Sequence, residues 1–159
     1  MTDHRQFKPQ DLQPHWLLAG ALLALLIAAN IACHIWPEQI RLHIDTEQRL
    51  LLKSIFYAVA IILFPLVKLL RHILLRLNQT MPGKKTARRR YFQTVAVCLL
   101  TVSGVGGFGV LMFVLGDDYN TLSIFSLLAG LGIFLHKPDI GEYRSIYAAL
   151  ILQNTDLRT

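Results

Sequence analysis

Four apolar runs, each close to membrane length, leave this chain little freedom in what it can become. A helix needs about 20 apolar residues to cross the hydrocarbon core at 1.5 Å per residue. The runs 16–36, 50–70 and 95–115 meet that length, and a fourth at about 121–136 meets it only with its flanks. In lipid every backbone donor and acceptor must be satisfied internally, so helices are the expected element. The expected fold is all-α: a polytopic membrane protein with four transmembrane helices in a compact bundle. The runs and their short connections occupy most of the 159 residues, so a single integral-membrane domain is expected over 1–159. Composition agrees, with 53% hydrophobic and 16% charged residues against about 25% charged in soluble domains. Disorder and a disulfide scaffold are excluded on the same grounds.

Charge orients the bundle. The loop 71–91 carries Arg71, Arg76, Lys84, Lys85, Arg88, Arg89 and Arg90, with no acid among them. The short loop after the third run, Gly116-Asp117-Asp118-Tyr119-Asn120, has two acids and no base. The positive-inside rule then puts the basic loop and both termini in the cytoplasm. That topology places 13 of the 16 Lys and Arg inside and 3 outside. A bacterial inner membrane is the expected location. The motif Ile31-Ala32-Cys33 faintly matches a lipoprotein cleavage site, but Asn30 stands where a branched apolar residue is wanted, so a retained helix is expected. Cys33 and Cys98 fall at opposite depths and should not pair.

Between the runs, local patterns set further expectations. Ile40, Leu42 and Ile44 alternate with Arg41, His43 and Asp45, which reads as an outer loop pressed against headgroups. The second span should continue past the bilayer, because Lys68, Arg71, His72 and Arg76 recur at helical spacing among leucines. Met81-Pro82-Gly83 reads as the turn before the third span. Residues 140–153 read as a short amphipathic C-terminal helix, with Ile140, Tyr143, Tyr147, Leu150 and Ile151 on its apolar face. Such a helix suits the inner surface of the membrane, the bundle itself or a partner.

Candidate functional residues are of two kinds. Lipid gives helices little hydrophobic drive to associate, so small residues that admit close approach mark interfaces. Gly20, Ala24, Ala28 and Ala32 form an i, i+4 row in span one; Ser103 with Gly107, and Ser126 with Gly130, repeat the spacing. The second kind is the basic set Lys68, Arg71, Arg76, Lys84, Lys85, Arg88, Arg89 and Arg90, expected to meet anionic headgroups of the inner leaflet or an acidic partner. A basic run beside a membrane needs no nucleic acid to explain it.

Catalysis and coupled transport find little support. All ten carboxylates fall in loops or tails, whereas gradient-coupled carriers use ionisable groups near the midplane. Lys53 and Lys68 lie near opposite ends of span two and can snorkel to water. Asn30 is the one Asn or Gln inside a span. Glycines 104, 106 and 109 formally match a dinucleotide fingerprint, yet they sit mid-span, where close helix packing is the better reading. His15, His72 and His136 lie near one membrane face, where two histidines on facing helices can ligate a haem iron, but each position equally suits an interfacial histidine. No cofactor or metal is expected, and no nucleophile–base set is evident. The chain reads as a non-enzymatic accessory, assembly or inhibitory subunit acting through helix–helix contacts with a membrane protein. The alternative is a small homo-oligomeric channel or transporter.

Overall fold

A computed structural model describes residues 12–42, 44–80 and 87–156, with side-chain surroundings up to residue 151. The expected turn at Met81-Pro82-Gly83 and the headgroup residues Lys84 and Lys85 lie outside the described residues, as does His43. Six helices make up the described chain: α1 (Gln13–Ile35), α2 (Pro37–Ile40), α3 (Thr46–Thr80), α4 (Ala87–Val114), α5 (Tyr119–Leu135) and α6 (Ile140–Asp156). No strand occurs among the described residues. Three helices, α1, α3 and α4, are long and apolar enough to cross a membrane, and the bent pair α5–α6 reaches that standard when taken as one span.

Local chemistry sets the helix ends. Pro14 sits in the first turn of α1, where a missing N–H costs nothing. Trp36 closes the helix with its N–H donated to Ala32 O, and Pro37 opens α2. α3 runs for 35 residues, about 52 Å at the helical rise. It therefore overruns the expected 50–70 at both ends, in keeping with its basic stripe. α4 ends in a Schellman motif. Asp117 N–H bonds Met112 O and Gly116 N–H bonds Phe113 O, both at 3.0 Å, with Gly116 at φ +87°. Only glycine takes that conformation without strain. The alternating segment after α2 lies alongside this corner, and Leu42 N–H donates to Val114 O at 2.6 Å.

α4 is the hub, and α1, α3, α5 and α6 all pack on it. Tyr91, Leu99, Val102, Val105, Met112 and Phe113 are fully buried along its length. An aromatic layer joins α3, α4 and α5: Phe56 stacks on Phe108 with ring centroids 4.9 Å apart, Phe108 meets Phe125 edge-on at 6.4 Å, and Tyr57 stacks on Phe125 at 4.7 Å.

α5 and α6 meet at a 46° bend. α6 packs on α3 and α4. Its buried residues are Tyr143 and Ile146, with Tyr147 and Leu150 half-buried, whereas Ile140 and Ile151 are exposed. The apolar face is thus rotated from the one expected, because Ile146 reaches the core that Tyr91, Val95 and Leu99 build on α4.

Candidate functional site

At the basic end of the bundle, α3 and the α5–α6 bend enclose a groove of about 740 Å³. Phe64, Pro65, Leu75 and Leu135 provide apolar wall; Lys68, Arg71, His72, His136 and Lys137 bring basic groups; Asp139 and Glu142 bring acids. The bend that forms one wall is itself held by a buried tyrosine. Tyr91 Oη accepts the Asp139 N–H at 2.7 Å, with Asp139 O at 3.0 Å and Glu142 Oε2 at 3.2 Å as acceptors for its own proton. Asp139 Oδ1 accepts the Gly141 N–H at 3.1 Å and so caps the first turn of α6. His136 Nδ1 lies 2.9 Å from Gly132 O at the end of α5.

The charges in the groove are not equally committed. Arg71 Nη2 reaches Glu142 Oε2 at 2.8 Å and donates to Lys137 O at 3.0 Å. The pair locks α6 to α3 and neutralises Glu142. Lys68, His72 and Lys137 are exposed at the groove, and the Lys137 ammonium stands 5.0 Å from the Phe134 ring centroid.

Other members of the basic set are dispersed. Arg76 is exposed. Arg88 and Arg89 border a separate shallow depression with Pro14 and Phe92. Arg90 is only 6% exposed. Its guanidinium donates to Asn78 O at 3.1 Å, while Asn78 Nδ2 donates to Thr94 Oγ1 at 2.8 Å. Arg90 and Asn78 thereby join α3 to α4, with the Arg90 side chain turned into the bundle rather than out to the surface. His72 and His136 share the groove, but His15 is buried elsewhere, its ring 5.1 Å from Tyr91 and 5.3 Å from Phe92. Among the described residues no three His, Cys, Asp or Glu come together as metal ligands.

The small-residue rows divide by side. Gly20, Ala24 and Ala28 are exposed and Ala32 is half-buried, so the span-one row faces away from the bundle. A Cβ added at Gly20, Gly107 or Gly130 would meet nothing within 4 Å. Ser103 bonds back to Leu100 O on its own helix. Ser126 does join two helices: it accepts from Asn30 Nδ2 at 2.8 Å and has Asn30 Oδ1 at 3.1 Å. The close approaches inside the bundle use other glycines. A Cβ at Gly106 would strike Leu26, one at Gly109 would lie 2.7 Å from Phe125 Cβ, and one at Gly132 would strike Val102.

A polar clasp closes the opposite end. Arg49 Nη1 donates to Gly116 O at 2.9 Å, Arg41 Nη2 to Asp117 O at 3.3 Å, and Lys53 Nζ lies 3.1 Å from Asp117 Oδ2. Arg41 also stands over the rings of Phe113 and Tyr119, at 4.6 and 5.3 Å. Lys53, expected to snorkel, is therefore paired. Burial alone raises the Asp117 carboxyl, but the Thr121 hydroxyl, Lys53 and the Asp118 N–H outweigh it and hold the pKa below its ordinary value.

Comparison with known proteins finds no family model, curated protein or solved structure that matches this chain.

Proposed function

We propose that this chain is a non-enzymatic accessory subunit of the bacterial inner membrane, which docks on a larger membrane protein through the outward row of α1. The observation that carries this reading is the exposure of Gly20, Ala24 and Ala28 on a helix otherwise lined outside by Leu17, Leu25, Ile27 and Ile31. A small-residue track flanked by bulky apolar side chains admits a second helix at close range. The bundle leaves this track open, since α1 meets α4 and α5 with its other side. In the proposed orientation the groove and the basic loop face the cytoplasm and the Asp117 clasp faces outward.

The test uses a substitution that the bundle tolerates. Gly20→Leu points into open space, so its thermal stability should match wild type. After cross-linking in native membranes, wild type should carry a stoichiometric membrane partner that Gly20→Leu lacks. Recovery of the same partner with both chains, or of none with either, overturns the reading. A product made only of this chain moves the function to a homo-oligomeric channel.

A further inference from the structure

We propose that the groove between α3 and the α5–α6 bend is a binding site for one anionic glycerophospholipid, with its phosphate among Lys68, His72 and Lys137. The site is separate from the α1 row and does not depend on it.

The shape of the groove is the first argument. Along α3 its lining runs from Phe64 and Pro65 to Arg71, His72 and Leu75, about 16 Å of helix. The Phe64–Pro65 end is apolar and continues onto the outer surface of α3, where Ile61, Ile62 and Leu66 are exposed. Leu135 forms the facing wall. The other end gathers the cations. Apolar wall below and positive charge above is the polarity of a phospholipid entering from the side, acyl chain first.

Charge complementarity is the second. The acids of the groove are already engaged: Glu142 by Arg71, and Asp139 by the Gly141 N–H. Lys68, His72 and Lys137 have no hydrogen bond or ion pair fixing their side chains among the described residues, and all three are exposed at the groove. A phosphodiester anion suits that imbalance. A zwitterionic headgroup suits it less, because its ammonium needs an acid that Arg71 or the α6 cap already holds. Arg71 frames the site with its charge already matched by Glu142: its Nη2 is held by Glu142 Oε2 and Lys137 O, while its buried Nε has no hydrogen-bond partner among the described residues.

The experiment uses the full chain, delipidated in mild detergent, and titrates it with dioleoylphosphatidylglycerol, dioleoylphosphatidylethanolamine or inorganic phosphate while the melting temperature is followed. Phosphatidylglycerol should give a saturable rise that phosphatidylethanolamine does not. One surface cation contributes about 1 kcal/mol to lipid binding, which is about fivefold in affinity. Lys68→Gln and Lys137→Gln should each weaken phosphatidylglycerol binding about fivefold, and Arg144→Gln, equal in charge but outside the groove, less than twofold. Lipid-free melting temperatures equal to wild type establish that each variant is folded. Equal losses in all three variants would reduce the effect to bulk attraction and overturn the site. An equal response to both lipids would also overturn it. A response to inorganic phosphate matching that of the lipid would make the groove a free-phosphate site instead.

Discussion

Asn30 puts a polar side chain at the contact between α1 and α5. An amide in hydrocarbon needs a partner, and Asn30 finds Leu26 O on its own helix and Ser126 across on α5. Such interhelical bonds contribute about 0.6–2 kcal/mol. Asn30→Leu and Ser126→Ala should each destabilise by about that amount, and the double variant by less than their sum. Additive losses in denaturant titrations would show that the two do not act as a pair. Asp117 makes a different demand. Its carboxyl is held below the ordinary value, so its contribution is present above the unfolded pKa, about 3.9, and fades as pH falls through the folded one. The melting temperature should hold at neutral pH and drop under acid, and Asp117→Asn should blunt the drop. A curve in Asp117→Asn as steep as that of wild type would remove this group from the acid response.

At the scale of the element, glycine position decides how the helices fit. Gly109 and Gly107 lie on the same helix two residues apart, yet one is buried and the other exposed. A Cβ at Gly109 would press on the Phe125 Cβ and lie 3.1 Å from Leu122 O. Gly109→Ala should cost about 1–3 kcal/mol through overpacking, while Gly107→Ala should be neutral or slightly stabilising by helix propensity. Thermal melts of the two variants side by side check this, and equal effects would contradict the placement of α4. The same pair explains what is legible in the sequence. Apolar length locates the three helices long and apolar enough to span alone, α1, α3 and α4, because that signal depends on lipid alone. It does not tell inward from outward glycines, because lipid tails and a helix core are equally apolar. The α3 half of the groove is visible as Lys68, Arg71 and His72 at helical spacing. Its other half, Lys137 to Glu142, lies some sixty residues on and reads locally as the start of a surface helix. Nothing in either stretch announces that Arg71 and Glu142 will meet.

For the whole molecule, the distribution of charge makes an orientation testable. The native thiols are poor reporters, since Cys33 and Cys98 are both buried. Asp118 and Arg89 are exposed at opposite ends of α4 and its corner. In intact cells an impermeant thiol reagent should modify Asp118→Cys and spare Arg89→Cys, and lysis should make both reactive. The reverse pattern would invert the proposed topology. Around the central α4 the neighbours are unequal in length: α3 has 35 residues and α5 has 17. At the helical rise α5 spans about 25 Å, short of a hydrocarbon core of about 30 Å. Taken with α6 it reaches spanning standard; taken alone it would call for local thinning of the bilayer, snorkelling flanks or association with a neighbour, while the flank along α3 would not. Each ångström of such mismatch costs a fraction of a kcal/mol, so an α5 that crosses alone would make the protein a wedge in its membrane. Its neighbours would then sense a thinned, asymmetric annulus, and thickness alone would draw it toward regions where the sheet of lipid is already thin.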